Sequence, residues 1–167
     1  MSAAKKFLKA REMSSFFVLL ALFLIVGAIN PKFLTGTNIS ACFNTSVVYT
    51  LVAVGMAFAI FVGEIDVSVG SNLGFVATVV GSLLRDGANW GFAFTVGILI
   101  GLVIGIINGW GVAVMKVPSL IFTLGTNGIL RGMMYIYAGG AWVENLPKEF
   151  KDFSSVTLVG SFTVYYC

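Results

Sequence analysis

The sequence predicts an all-α fold, a polytopic transmembrane helical bundle with about five membrane segments, and three observations carry that prediction. The chain has 167 residues, 58% of them hydrophobic and only 10% charged, whereas a soluble domain carries about 25% charged residues to cover its surface. Its long runs, residues 16–29 and 47–62 among them, are apolar or small on every face, unlike barrel strands, which alternate with period two. In hydrocarbon only helices and closed barrels pair every backbone polar group. Runs of this kind are therefore helices.

Residues 1–13 read as a basic cytoplasmic N-terminus, because Lys5, Lys6, Lys9 and Arg11 crowd beside the first apolar run and positive charge is retained on that side of the membrane. The net charge of +3 is thus a topology signal and not a nucleic-acid patch. The run continues to Ile29 with only a weak cleavage match at Val26-Gly27-Ala28, which makes it an uncleaved first helix, residues 14–30, ended by Pro31. A second helix lies within residues 33–63 and is most apolar over 47–62. Its first part, 35–46, is rich in Thr, Asn and Ser and leaves loop, re-entrant segment and helix start all open. Further spans are read at 67–84, 90–115 and 118–137, the last opened by Pro118, which suits a helix first turn. A membrane region over residues 14–140 is then followed by an extracytoplasmic loop and an atypical end over 141–167. Alternating the spans puts Glu64, Asp66 and Lys116 near the inner side and Arg85-Asp86 with residues 139–153 outside.

Gly97, Gly101, Gly105 and Gly109 recur every four residues, a helix-packing strip on which a neighbouring helix approaches closely. On that reading Gly101→Leu and Gly105→Leu disturb assembly. The chemistry available is sparse. No histidine is present, which removes the commonest general base and metal ligand, so neither a catalytic residue nor a metal site is expected. Cys42 and Cys167 have no metal spacing; both read as small buried hydrophobes, with a disulfide between them left open. No phosphate-binding loop of the Gly-x-x-x-x-Gly-Lys-Ser/Thr type occurs, and no cofactor is expected.

Candidate pathway residues are the polar groups at membrane depth. Glu64 and Asp66 interrupt apolar sequence, and charge there is costly and usually functional. The competing reading is a solvated turn in which Ser68 or Ser71 caps the next helix. Arg131 lies within the fifth span and needs a partner or a route to the interface; an ion pair to Asp66 or Glu64 is one solution. Asn44, Asn108 and Asn127 either line a path for a hydroxyl-rich solute or tie helices together.

Residues 63–71, with Ile65-Asp66-Val67-Ser68-Val69-Gly70-Ser71, resemble the Gly-Ile-Asp-Leu-Ser-Val-Gly-Ser signature of the inner-membrane permeases of bacterial ABC importers for simple sugars, the ribose-type family. Asn108-Gly109, then Val117-Pro118-Ser119-Leu120-Ile121-Phe122-Thr123-Leu124-Gly125-Thr126 and Arg131-Gly132, resemble the same family's next recurrent stretch, in matching order. The resemblance implies a multi-pass protein of the bacterial inner membrane, embedded in the lipid bilayer. It also implies a second permease subunit, a cytoplasmic ATPase and a periplasmic sugar-binding protein as partners, with no nucleic acid and no enzymatic activity in this chain. Asp66 and Ser68 match the signature; Glu64 departs from it, since the family commonly has glycine there. Such permeases are about twice this long, so the resemblance implies an N-terminal half that does not transport by itself. A secondary transporter using Asp66 with Arg131 and a non-transporting membrane scaffold are the alternatives.

Overall fold

The computed structural model describes residues 11–154, 157–159 and 162–163. Helix α1 spans Arg11–Ile29, a 3-10 turn covers Pro31–Leu34, and α2 (Gly36–Phe61), α3 (Val69–Arg85), α4 (Trp90–Ala113) and α5 (Ser119–Ala138) follow. A short α6 (Lys148–Ser154) precedes two small antiparallel strands, β1 (Thr157–Val159) and β2 (Phe162–Thr163). The five long helices are the expected ones, each displaced by a few residues at most. The basic cluster at Lys5, Lys6 and Lys9 and the second cysteine, Cys167, lie outside the described residues.

At 1.5 Å rise per residue, the 26 residues of α2 and the 24 of α4 exceed the roughly 20 needed to cross hydrocarbon. The ambiguous polar stretch at residues 35–46 is helical. Thr45 donates to the Ala41 carbonyl at 3.0 Å and Ser46 to the Cys42 carbonyl at 2.7 Å, so the hydroxyls are satisfied on their own helix. Cys42 is free and exposed on α2 rather than buried as the sequence suggested. Ahead of α2, Pro31 opens the 3-10 turn and the Asn30 side chain accepts from the Lys32 amide at 3.2 Å.

Helices α3, α4 and α5 form the packed centre. Phe75, Val79, Ile104 and Leu130 are buried together, with Leu83, Val96, Ile100 and Met134 against them. Helices α3 and α5 run parallel: Val67, just ahead of α3, meets Thr123 near the start of α5, and Gly74 lies beside Met134 further along. Helix α4 returns antiparallel and packs alongside both, with Gly97 against Val80 and Val76 of α3. A Cβ at Gly97 would stand 2.7 Å from Val80, whereas one at Gly101, Gly105 or Gly109 meets nothing within 4 Å. Phe150 of α6 stacks edge-on against Trp90 with centroids 5.7 Å apart, which ties α6 to the start of α4.

Outward faces are strongly apolar, as at Ile98 (71% exposed), Ile129 (65%) and Ile136 (81%). Apolar surface on that scale belongs in lipid or against other membrane helices.

The packing places Asp66 and Ser119 at one end of the α3–α5 unit and Arg85-Asp86 with residues 139–143 at the other. Orientation in the bilayer is then a prediction. In a variant lacking Cys42 and Cys167, a cysteine at position 116 should resist an impermeant maleimide applied from outside, while one at 86 or 144 reacts. Labelling of position 116 from outside would invert the arrangement.

Candidate functional site at the α2–α3 junction

Helix α2 stops where a glycine takes the left-handed conformation. Gly63 has φ +83, its amide bonds to the Ile60 carbonyl at 2.9 Å, and the Glu64 amide reaches the Ala59 carbonyl at 3.0 Å. This paired 5→2 and 6→1 pattern is a Schellman cap, and it turns residues 64–68 back across α4 and α5. The peptide N–H groups of that short irregular segment cannot go unpaired at membrane depth. Side chains of α5 take two of them: Ile65 N donates to Ser119 Oγ at 3.2 Å and Val67 N to Thr123 Oγ1 at 3.1 Å. Thr123 passes its own proton to the Ser119 carbonyl at 2.7 Å and is 2% exposed.

Asp66 organises the start of α3. Its Oδ1 accepts from the Ser68 amide at 2.8 Å and from Ser68 Oγ at 2.6 Å. Ser68, at the N-cap position, makes no side-chain cap bond of its own, so the expectation that a serine caps this helix is corrected: the aspartate does it from two residues earlier. Ser71 spends its hydroxyl proton on the Ser68 carbonyl at 2.8 Å.

The network then crosses to α4 and α5. Asn108 Nδ2 donates to Ser68 Oγ at 2.8 Å and points its second hydrogen toward Asp66 Oδ2 at 3.5 Å; Asn108 Oδ1 accepts from Thr126 Oγ1 at 2.8 Å. Only this orientation of the amide serves all three neighbours, since a flipped one would aim an oxygen at the carboxylate. Asp66 is held by N–H and O–H donors at the positive end of α3, without a cationic partner among the described residues. Charge-assisted bonds of this sort are the stronger ones.

A cavity of about 250 Å³ adjoins this network, lined by Glu64, Asp66, Asn108, Ser119 and Thr123 together with small and apolar residues of α2 and α4. Asp66, Ser68 and Glu64 are thus brought together. Asn44, buried in the first half of α2, Asn127, half-buried on α5, and Arg131, exposed on α5, stand outside the network. The suggested pairing of Arg131 with Asp66 or Glu64 does not form: among the described residues the ion pair present is Arg85–Asp86, at 2.9 Å. The solvated-turn reading also fails for Asp66, which is only partly accessible and has its carboxylate bonded within the protein. Thr126, Thr123 and Ser119 were not singled out as site residues in the sequence, and Asn108 was left between pathway and packing.

The family described as branched-chain amino acid transport system / permease component matches residues 38–164. Among curated proteins, the autoinducer 2 import system permease protein LsrC of Enterobacter sp. (strain 638) is 37% identical over 156 residues, 93% of this chain and 46% of that protein. The protein of the same name from Klebsiella pneumoniae subsp. pneumoniae is 36% identical over 93% of this chain and 45% of its own length. The one from Escherichia coli O157:H7 is 35% identical over 90% of this chain and 44% of its own. The chain therefore spans less than half the length of the curated relatives it matches. No solved structure matches it. The chain belongs to this family of ABC importer permeases, which are transport subunits and not enzymes.

Proposed function

We propose that this chain forms part of the solute pathway of an ABC importer in the bacterial inner membrane, carrying a small hydroxylated solute of the simple-sugar kind. A periplasmic binding protein delivers the solute, a cytoplasmic ATPase drives the cycle, and a second permease subunit completes the pathway. Family membership supports the reading, as do the two motifs shared with simple-sugar permeases. The names of the relatives add autoinducer 2 as a candidate solute.

The observation that carries it is the bonding of the α2–α3 junction. An irregular backbone segment beside a cavity, inside a helical membrane bundle, is the arrangement by which transporters place polar groups on a pathway. Here residues 65–68 are fastened to α4 and α5 by side-chain bonds, and such bonds can be exchanged when helices shift. An ATPase or binding protein can move a permease between inward- and outward-facing states only through contacts that differ between them. Asp66, joined to α3 directly and to α4 through Ser68 and Asn108, is placed to hold one of those states.

The test is uptake of labelled pentose in a strain lacking its own sugar uptake, with a full-length permease carrying this sequence co-expressed with its second permease subunit, ATPase and binding protein. Asp66→Asn should reduce ATP-dependent accumulation at least about tenfold, the scale of losing one charge-assisted bond. Glu64→Gly, which restores the residue common in simple-sugar permeases, should retain it. No accumulation by the parent set would overturn the reading, and equal tolerance at both positions would reduce the junction to architecture. Competition by unlabelled autoinducer 2 against the pentose separates the two solute assignments.

A further inference from the structure

A second cavity, of about 460 Å³, lies between α3 and α5 toward the end opposite Asp66, with Thr78 of α3 and Arg131 and Tyr135 of α5 on its sides and Gly140, Trp142 and Val143 elsewhere in its lining. The last three belong to the link between α5 and α6. We infer that residues 139–146 are a hinged strap that closes this cavity at its end and swings aside to open it. The inference deepens the transport reading above, on which it rests for its purpose, by placing a gate on the predicted extracytoplasmic side.

The strap's place follows from the parallel course of α3 and α5. Gly74 stands beside Met134, so one turn further along Thr78 is level with Ala138 at the end of α5, and the chain leaving α5 meets α3 beyond it, at Gly81. A Cβ at Gly81 would stand 3.3 Å from Val143 Cγ1 and 3.9 Å from Leu146 Cδ2. The missing side chain makes a notch for both. Val143 and Leu146 are half-buried, whereas Ala141, Glu144 and Asn145 are exposed and Trp142 stands 91% exposed beside the cavity. Backbone bonding is sparse along the strap: it ends with the Ala141 amide on the Ala138 carbonyl at 3.2 Å and resumes with the Phe150 amide on the Pro147 carbonyl at 3.1 Å. A segment with few buried contacts and no backbone bonds of its own opens at low free energy.

Both ends of the strap suit a hinge. Gly139 and Gly140 lie in the left-handed region at φ +64 and +75, where glycine moves at no steric cost. Asn145 lies there too, at φ +62, a conformation that asparagine tolerates better than most residues. Beyond Asn145 the chain is anchored, since the Phe150 ring packs against Trp90 and Phe94 with centroids 5.7 and 6.4 Å away. Gating segments move in this way, with a few residues at their ends absorbing the change in φ and ψ. Fastened at both ends, jointed beside each fastening and seated in the middle on one glycine, residues 139–146 can leave α3 without disturbing the helices.

The test uses the whole chain in lipid nanodiscs, with Cys42 and Cys167 replaced by alanine and Thr78→Cys as the probe, and reads the rate at which a small methanethiosulfonate reagent labels it. Gly81→Leu fills the notch, and Val143→Ala with Leu146→Ala removes the groups that occupy it. Each should speed labelling at least about tenfold, the shift in opening expected for losing several buried methyl groups. Glu144→Gln, on the exposed side of the strap, should label as the parent does. Helical circular dichroism and elution volume show that each variant is folded. One labelling rate in all of these chains would overturn the strap. A second arm locks it. A Cβ at Gly81 would stand 3.9 Å from that of Val143, within the roughly 3.5–4.5 Å of a disulfide, so Gly81→Cys with Val143→Cys should cross-link on oxidation. In a full-length permease with its partners the cross-link should cut labelled-pentose uptake at least about tenfold, and a reductant should restore it. Undiminished uptake through the locked form, or failure of the pair to cross-link, would also overturn the strap. Absence of uptake by the reduced importer, with the labelling rates as expected, would instead count against the transport reading and leave the strap standing.

Discussion

Asn108→Asp should destabilise the α3–α5 unit by about 2–4 kcal/mol, the range for breaking a buried polar network and leaving its members unpaired. The substitution changes one atom group. Asn108 Nδ2 donates to Ser68 Oγ at 2.8 Å and faces Asp66 Oδ2 at 3.5 Å; a carboxylate there removes both donors and sets like charges against each other. Asn108→Ala should cost less, because it strands Ser68 and Thr126 without adding charge. The exchange Asp66→Asn with Asn108→Asp should recover part of the loss, since one carboxylate and one amide again face each other across Ser68. Non-additivity in that cycle measures the coupling directly. The readout is thermal unfolding of the chain in detergent, followed by the folded fraction on size exclusion. Equal stability of Asn108→Asp and the parent would mean that the network does not hold the junction.

The helices were legible because the bilayer fixes their length and sparse charge marks their ends; Pro31 and Pro118 added punctuation. The junction was half legible. Asp66 and Ser68 stood out as polar residues in apolar sequence, but their partners are distant: Asn108 lies 40 positions from Ser68, and Thr123 lies 56 from Val67. Nothing local in a single sequence encodes such meetings. Pairing Arg131 with Asp66 looked reasonable on charge alone and fails on depth. Asp66 sits beside the first turns of α5, near Thr123, whereas Arg131 is two turns further along, about 12 Å at helical rise, and lines the other cavity. The glycine strip shows a different limit. A strict four-residue repeat drifts about 40° per step on a helix of 3.6 residues per turn, so Gly97, Gly101, Gly105 and Gly109 wind around α4. Its buried face alternates steps of three and four instead, through Ala93, Gly97, Ile104, Asn108 and Gly111.

That face locates the second large effect, at a glycine outside the strip. A Cβ built on Gly111 overlaps the Phe122 ring, so the absence of a side chain at position 111 is what lets α4 and the first turns of α5 approach. Gly111→Ala must rotate Phe122 or separate the helices, and overpacking of this kind costs about 1–3 kcal/mol. Gly109 provides the internal control, because a Cβ there meets nothing within 4 Å. Gly109→Ala should be neutral or stabilising by up to about 1 kcal/mol, the gain in helix propensity over glycine. The mechanism is specific enough to reverse: Phe122→Leu, combined with Gly111→Ala, should restore much of the lost stability, although Phe122→Leu alone removes packing. Displacing the start of α5 also moves Ser119 and Thr123 away from the Ile65 and Val67 amides. Gly111→Ala should therefore speed amide hydrogen exchange at residues 65–68 as well as lower the unfolding temperature. If Gly111→Ala and Gly109→Ala unfold together and residues 65–68 exchange as in the parent, the spacing of α4 and α5 is set elsewhere.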